Sequence, residues 1–148
     1  MKKLLFTAIT LLFIPLFLYA QADKIEGTWI TEKGTSSVEV KKNSKGLYDG
    51  KINWLEEPNE DGKPKVDKEN NDPQLAKRPI MGLPLLSGFK YDSKKDRWVD
   101  GSIYDPDNGK TYDCFAWFED GNFDVLYIKG YVAGIKALGR KTVWKAKK

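Results

Sequence analysis

Apolar and polar residues alternate along most of this chain in short runs that are bounded by turn-forming residues. Residues 48–54, YDGKINW, show the pattern clearly, because Tyr48, Ile52 and Trp54 fall on one face of an extended chain and polar residues fall on the other. A period of two indicates a strand with one buried and one solvated face, whereas a helix repeats its apolar residues every three or four positions. The pattern therefore predicts a β protein.

Turn signals divide the chain into eight predicted strands. The segment DPDNG, residues 105–109, combines residue types that favour a tight turn. Residues 56–71 are polar and rich in Pro, Asp, Asn and Lys, which predicts a long loop, and Asp72-Pro73 then starts a brief helix that ends before Pro79. The predicted strands cover residues 27–32, 36–42, 47–55, 83–91, 97–104, 110–119, 122–131 and 140–146.

The number and spacing of these strands predict an all-β fold, either a closed antiparallel barrel or a sandwich. An open sheet of this size leaves two long edges with unpaired backbone groups, and pairing of the first strand with the last removes them. A barrel of eight strands has an interior just large enough for side chains or for one small ligand. We therefore expect a single antiparallel β-barrel of about eight strands with one short helix.

The first twenty residues have the layout of a secretory signal peptide. Lys2 and Lys3 precede an apolar stretch over residues 4–18, and small residues follow at Ala20 and Ala22. The apolar stretch is shorter than the roughly 18 to 20 residues of a comfortable membrane span. The sequence predicts a signal peptide over residues 1–20, cleaved after Ala20 or Ala22, and one domain over residues 21–148. We expect export to the periplasm or the medium with no membrane span after cleavage; an uncleaved anchor is the alternative.

The ionisable residues exclude several functional classes. The net charge of +4 is spread over interspersed residues, and the one basic run is the terminal KAKK, so nucleic acid is not an expected partner. The absence of histidine excludes Ser-His-Asp and Cys-His catalysis and zinc sites that need imidazole. Cys114 is the single cysteine, so no disulfide forms within the chain. We expect a protein that is not an enzyme and uses no metal or cofactor; a histidine-free enzyme with Asp72, Asp105 or Tyr104 in its site is the alternative.

Two long segments carry a family resemblance. They are NDPQLAKRPIMGLPLLSGF at residues 71–89 and WVDGSIYDPDNGKTY at residues 98–112, followed by Gly130-Tyr131, Leu138-Gly139-Arg140 and Trp144. Together they resemble the exported bacterial family called domain of unknown function 2147, over essentially the whole chain from Gly27 onward. The name of that family implies no activity.

A second resemblance concerns the fold. Gly27-x-Trp29 in the first strand, together with Arg140 at the start of the last strand, is similar to the pattern of the calycins, which are lipocalin-like barrels. This resemblance implies that Trp29 closes the floor of the barrel and that Arg140 packs over its ring, a geometry that suits a cation–π contact. The expected architecture is accordingly a lipocalin-like β-barrel.

These observations favour a non-catalytic protein that binds a small apolar or amphipathic molecule in the barrel mouth. Inward-facing aromatic rings would line such a site, and an arginine would hold a polar end of the ligand. The candidate ligand-binding residues are Trp29, Tyr48, Trp54, Arg78, Tyr104, Tyr127 and Arg140. The competing interpretations are that the rings only fill the core and that Arg78 forms a structural ion pair with Asp72 or Asp105, which pins the long loop to the barrel.

The strand at residues 110–119 supports an alternative function. Cys114, Ala116 and Phe118 alternate with Phe115 and Trp117, so this strand is apolar on both faces. Its outer side then needs a cover, which the short helix, a loop or a partner subunit would supply. The alternative is a protein–protein interaction or structural module of the cell envelope that acts through its outer surface, with a homodimer as one form.

Overall fold

The computed structural model describes residues 20–148, so the predicted signal peptide lies outside the described residues except for Ala20. The strands of the described chain are β1 (Gly27–Ile30), β2 (Ser36–Lys42), β3 (Tyr48–Leu55), β4 (Asn59–Glu60), β5 (Lys63–Pro64), β6 (Pro84–Asp92), β7 (Arg97–Asp105), β8 (Lys110–Glu119), β9 (Asn122–Tyr131) and β10 (Arg140–Ala146). Short 3-10 turns occur at Asp23–Ile25, Leu75–Lys77 and Lys136–Leu138.

Eight of these strands close into an antiparallel barrel in the order β1-β10-β9-β8-β7-β6-β3-β2. The ring is completed by β1, which pairs with both β2 and β10 and places Trp29 opposite Val38 and Ala146. The predicted all-β fold is confirmed as a closed barrel, in which pairing of the first and last strands leaves no open edge. The predicted bounds are met at β2, β8, β9 and β10, and elsewhere they differ by one or two residues.

The connections fall at two ends of the barrel, because neighbouring strands run in opposite directions. The closed end carries the tight turns 43–47, 93–96 and 120–121 together with the segment that precedes β1. The open end carries the loops 31–35, 56–83, 106–109 and 132–139. The strand order places loop 132–139 across the open end from the long loop 56–83, with the two shorter connections between them.

The N-terminal segment forms the floor of the barrel. The indole nitrogen of Trp29 donates a hydrogen bond to the backbone oxygen of Ile25 at 2.9 Å, and the indole nitrogen of Trp98 donates to the backbone oxygen of Ala22 at 3.0 Å. Ile25, Trp29 and Trp98 are all buried. Their hydrogen bonds give each buried indole N–H a partner, as a buried polar group requires, and they fix the segment across the closed end.

A short polar chain joins this floor to the barrel wall. The Tyr48 hydroxyl donates to Asp23 Oδ1 at 2.6 Å, and Lys42 Nζ pairs with the same oxygen. Burial raises the pKa of the Tyr48 phenol, and the hydrogen bond to Asp23 raises it further. The hydrogen bonds from Lys42 and Tyr48 hold the pKa of Asp23 below its usual 3.8. The floor is therefore stable with Tyr48 neutral and Asp23 ionised.

The position of Trp54 differs from the prediction. The sequence pattern placed Trp54 on the inner face with Ile52, but the pairing of β2 with β3 shifts between Ser37 and Val38, so that Asn53 is the extra residue of a β-bulge. A bulge reverses the alternation that follows it. Trp54 consequently lies on the outer wall, 36% exposed and with Lys147 Nζ 5.2 Å from its ring centroid, and Leu55 takes the inward position.

The long loop 56–83 has limited regular structure. The pairs β4 and β5 form a small hairpin, Val66 bridges to Pro79, and the turn Leu75–Lys77 occupies the position of the predicted brief helix. None of the helical segments in the described part of the chain has the length and apolar content needed to cross a bilayer. The loop borders one side of the open end.

Candidate functional site: the open end of the barrel

The open half of the barrel contains a cavity of about 970 Å³ that reaches the solvent. Its wall is apolar at Ile52, Leu55, Leu85 and Ile103, and Trp144 lies at its base. Ligand sites in proteins are typically clefts of roughly 300–1,000 Å³ with apolar walls and a few polar groups, so both the size and the lining fit a small molecule. We refer to this space as the mouth cavity.

The surroundings of two glycines show how differently the two halves of the barrel are packed. A Cβ atom at Gly101, in the closed half, would lie 2.6 Å from the Phe89 ring, so the ring packs directly on the backbone. A Cβ atom at Gly130, at the mouth cavity, would have only ordinary contacts of 3.5 Å or more, to Ile103 and Tyr112. The aromatic side chains therefore fill the space above glycine in the closed half and leave it free near the mouth.

The lysines around the mouth are paired with carboxylates. Lys33 Nζ lies 2.6 Å from Asp107, and the hydrogen bond to Asp107 raises the pKa of Lys33. The other two mouth lysines have partners in the long loop, Lys65 with Glu57 at 3.3 Å and Lys68 with Glu60 at 3.2 Å. These exposed pairs add little stability, but they neutralise the lysine charges at the entrance.

Arg140 differs from the lysines because it forms no ion pair with any residue of the described chain. It begins β10, and the alternation along that strand, through Thr142 and the buried Trp144, points it towards the barrel axis. Glu32 is the neighbouring carboxylate on the same side of the mouth; it accepts a hydrogen bond from Thr142 at 3.3 Å and forms no ion pair with Arg140. Arg140 thus presents an available guanidinium to the mouth cavity.

Contrary to what the resemblance to calycins implies, Arg140 does not lie over Trp29. β10 starts at the open end with Arg140 and finishes at the closed end, where Ala146 pairs with Trp29. The length of the strand separates the two side chains, so Arg140 does not pack over Trp29. The ring beside Trp29 is Phe118, at a centroid distance of 5.8 Å, and the nearby cation is Lys24, which lies 3.5 Å from the Phe123 centroid.

A buried carboxylate anchors the long loop to the outer side of β7. Asp67 is 0% exposed, and its Oδ2 accepts from Arg78 Nε at 3.0 Å while its Oδ1 accepts from the Tyr104 hydroxyl at 2.7 Å. Asn70 donates to both Asp67 and Tyr104. The Arg78 guanidinium also lies 5.2 Å from the Tyr104 ring centroid. Burial, followed by the hydrogen bond to Asp67, raises the pKa of Tyr104.

The loop also touches the β7–β8 turn through its backbone. Gly109 has a φ of 69°, and a Cβ atom there would lie 2.0 Å from the backbone oxygen of Glu69. Only glycine combines that conformation with such a close approach. The anchor is therefore built from one buried ion pair, two polar side chains and one glycine contact, which supports the structural interpretation of Arg78 with Asp67, rather than Asp72 or Asp105, as its partner.

The structure does not bring the seven predicted site residues together. Arg140 and Tyr104 border the mouth cavity, and Arg78 meets Tyr104 in the anchor. Trp29 and Tyr48 are buried in the closed half, and the outer wall carries Trp54 and Tyr127. The apolar part of the cavity wall consists largely of residues that were not predicted as site residues, among them Ile52, Leu55, Leu85, Ile103 and Trp144. Period-two spacing puts Ile52 on the inner face but Leu55 on the outer one, and it does not show which end of the barrel is hollow.

The outer wall of β8 and β9 carries a ladder of aromatic rings. Phe115 stacks on Trp117 at 5.3 Å, Trp117 stacks on Tyr127 at 5.5 Å, and Tyr131 lies 6.2 Å from Phe115. Cations lie over it, since Arg97 is 5.0 Å and Lys136 is 5.8 Å from the Phe115 centroid. The rings are partly buried by one another and by these side chains, which gives the outer side of β8 part of its predicted cover.

The described residues contain no group of three or more Cys, Asp or Glu side chains arranged to hold a metal ion. The mouth offers hydrogen-bond donors and acceptors, and Arg140 is a cation there that has no ion pair among the described residues.

An antiparallel barrel of eight strands, closed at one end and open at the other, belongs to the lipocalin-like class of folds. The chain is similar to a solved structure described as protein HP1028 from the human pathogen Helicobacter pylori, which belongs to the lipocalin family, with a TM-score of 0.67 and 22% identity over 84% of this chain and 83% of that chain. This likeness shows the fold. The chain belongs to the DUF2147 family, described as an uncharacterized protein conserved in bacteria, whose model matches residues 27–146. The comparison with curated proteins gave no match.

Proposed function

We propose that this chain is an exported, non-catalytic protein that binds a small apolar or amphipathic molecule in the mouth cavity. The observation that carries the proposal is the cavity of about 970 Å³ with an apolar wall in only one half of the barrel. A barrel without a ligand gains stability when side chains fill its interior, as they do in the closed half. A hollow half therefore supports a binding role.

The polar end of the ligand would meet Arg140. The mouth lysines already have carboxylate partners, whereas the Arg140 guanidinium is available and offers several donors to an oxygen ligand. The carboxylates around the mouth outnumber its four cations, which disfavours a ligand with several negative charges. An uncharged polar end or a single carboxylate fits this entrance.

Native mass spectrometry of the protein, purified from its own compartment without detergent, tests the proposal. We expect a stoichiometric adduct that disappears on denaturation and whose mass identifies the ligand class. A bare protein that also fails to take up added dodecanoate or dodecanol would contradict the proposal.

A cavity-filling variant locates the site. Thr142→Trp places a large side chain inside the mouth cavity, and we expect it to weaken dodecanoate binding by about tenfold or more. Lys145→Trp is the matched control, because Lys145 lies on the same strand but is exposed on the outer wall. Equal weakening by both variants would place the ligand elsewhere.

The role of Arg140 has a separate test. Arg140→Gln should weaken dodecanoate binding by about tenfold, since a charge-assisted hydrogen bond is lost, and should leave dodecanol binding nearly unchanged. Lys147→Gln removes the same charge from the outer wall and serves as the control. A uniform effect on both ligands would mean that Arg140 does not contact the polar end.

The aromatic ladder favours a second candidate function, a protein–protein interaction through the outer wall. Its rings are only partly buried in the described chain, and aromatic side chains are enriched at interfaces. Sedimentation velocity of the wild type and of Trp117→Ser tests it, because a dimer formed through the ladder should dissociate in the variant. A wild type that is monomeric at all concentrations, and that captures no partner from its compartment, would remove this candidate.

A further inference from the structure

The loop 132–139 exposes a group of aliphatic side chains at the open end. Val132 is 54% exposed, Ile135 48% and Leu138 78%, so three of the large exposed apolar residues of the described chain lie within seven positions. Ala133 and Gly134 both have left-handed backbone conformations, with φ of 51° and 72°, which reverse the chain sharply. The loop therefore leaves three apolar side chains exposed at the open end of the barrel, and we refer to these three as the apolar tip.

Basic residues surround the tip. Lys129, Lys136, Arg140 and Lys141 lie in and beside the loop, and residues 129–141 contain no acidic residue. Lys136 Nζ lies 5.7 Å from the Tyr131 centroid, and Lys141 Nζ lies 5.1 Å from the Tyr127 centroid. These contacts hold the two lysines against the outer wall next to the tip, so positive charge lies beside the apolar side chains, with Asp113 of β8 opposite Tyr131.

The opposite side of the mouth has a different character. The long loop 56–83 also exposes aliphatic side chains, Val66 at 40% and Met81 at 42%. Loop 56–83, however, has seven acidic against five basic residues, and its Lys65 and Lys68 are paired with glutamates, so that loop presents no excess of positive charge. Of these two sides of the mouth, loop 132–139 is the one that combines positive charge with exposed apolar side chains, and its Val132 and Leu138 also border the mouth cavity.

We propose that loop 132–139 docks the protein on the surface of an anionic lipid membrane. Apolar side chains that insert into the headgroup region, together with lysine and arginine that attract anionic lipids, are the two components of interfacial membrane binding. A projecting tip of three aliphatic side chains is too small for a stable protein interface, which buries roughly 800 Å² on each partner. The charge and the shape of the loop therefore favour lipid over a protein partner.

Docking through loop 132–139 brings that side of the mouth cavity to the membrane, while the glutamates of loop 56–83 lie across the open end from it. Because Val132 and Leu138 belong both to the tip and to the cavity border, an amphipathic molecule would move between lipid and cavity along a continuous apolar surface. This consequence rests on the proposed ligand-binding function, whereas the docking itself does not. Docking and ligand binding are therefore measured in separate experiments.

Co-sedimentation with lipid vesicles tests the docking. The purified protein is mixed with vesicles of pure phosphatidylcholine or of phosphatidylcholine with about 30% phosphatidylglycerol. We expect binding to the anionic vesicles to be at least about tenfold stronger, and to weaken when the salt concentration is raised. The absence of sedimentation with both vesicles, or equal binding to both, would overturn the proposal.

Two double variants identify the surface. Ile135→Ser with Leu138→Ser should weaken binding to the anionic vesicles by about tenfold, whereas Val66→Ser with Met81→Ser, on the opposite side of the mouth, should not change it. All four side chains are exposed, so thermal unfolding should show that both variants fold. Vesicle binding that survives in the Ile135/Leu138 variant would overturn the proposal, as would a wild-type dimer that only this variant dissociates.

Dodecanoate binding by the same proteins separates the two proposals. We expect Ile135→Ser alone, whose side chain does not border the mouth cavity, to weaken vesicle binding and to bind dodecanoate from solution as the wild type does. If the wild type binds vesicles but not dodecanoate, the docking proposal stands and the ligand-binding function is contradicted. If it binds dodecanoate but not vesicles, the ligand-binding function stands and the docking proposal is contradicted.

Discussion

The closed and open halves of this barrel are made from the same strands but have different interiors. In the closed half, Trp98 and Phe118 pack edge to face at 5.3 Å, and Phe89 fills the space above Gly101. In the open half, Ile52, Leu55 and Ile103 face inward beside Thr142 and Arg140, and the mouth cavity of about 970 Å³ lies between these strands and the loops. The position of large side chains along each strand, and not the number of strands alone, therefore decides where a small barrel is hollow.

The two halves also depend on different interactions for their stability. The floor uses buried rings whose N–H groups bond to the backbone of the N-terminal segment, so packing and hydrogen bonding act together. The open end uses exposed ion pairs and one buried anchor at Asp67. We therefore expect substitutions in the closed half to change the free energy of unfolding most, and those in the open half to change loop mobility and binding.

The largest expected effect is at Trp98. Trp98→Ala removes a fully buried ring and leaves a cavity and an unpaired Ala22 carbonyl, so it should lower the free energy of unfolding by about 3–5 kcal/mol. Trp54→Ala, on the outer wall, should cost about 1 kcal/mol or less. Urea denaturation measures both. Similar losses for the two tryptophans would contradict the distinction between floor and outer wall.

A pair of glycine substitutions compares the halves directly. Gly101→Ala forces a methyl group against the Phe89 ring and should destabilise by about 1–3 kcal/mol. Gly130→Ala makes only ordinary contacts at the mouth cavity, and it should be neutral or slightly stabilising because alanine lowers the entropy of the unfolded chain. Both are measured by urea denaturation. A larger loss at Gly130 would mean that the open half is as tightly packed as the floor.

The anchor of the long loop should respond mainly locally. Asp67→Asn keeps the shape of the side chain but removes the charge that faces Arg78, and we expect a loss of about 1–2 kcal/mol, reduced by the partial exposure of Arg78. Limited proteolysis should cut residues 56–83 faster in this variant. Glu57→Gln, which alters an exposed pair in the same loop, is the control. Unchanged proteolysis would show that Asp67 does not hold the loop.

The smallest expected effect is a dependence on alkaline pH at the floor. Burial and the hydrogen bond to Asp23 raise the pKa of Tyr48 above its usual 10.0, so the neutral phenol favours the folded state. Its contribution is fully present below pH 10 and is lost as the pH rises further. Tyr48→Phe should reduce the fall in the urea midpoint above pH 10, relative to the control Tyr112→Phe at the mouth. Identical pH profiles for the two variants would exclude this role of Tyr48.

The fold was largely predictable because its signals are local. Alternation defines β2, β8, β9 and β10 to the residue, and the turn at residues 105–109 separates β7 from β8. The error at Trp54 arose because one bulge residue, Asn53, reverses the faces that follow it, and nothing in the sequence marks Asn53 as different from a regular strand residue.

The site was less predictable because its features depend on long-range placement. Asp67 looks like the other carboxylates of a polar loop, and only its approach to Tyr104 makes it a buried anchor. Arg140 was found, but the direction of β10 decided that it borders the mouth instead of covering Trp29. The sequence favours aromatic residues as ligand contacts, whereas the apolar part of the cavity wall includes the aliphatic residues Ile52, Leu55, Leu85 and Ile103.

The closure of the barrel by β1 and β10 also has a kinetic consequence. Trp29 and Ala146 pair from nearly opposite ends of the described chain, so a loop that contains almost every other strand must close before their hydrogen bonds form. Such non-local β topologies fold on the order of milliseconds to seconds. The ring cannot be completed until the last strand has been synthesised, so a growing chain can pair its interior hairpins early but acquires a sealed barrel only at the end.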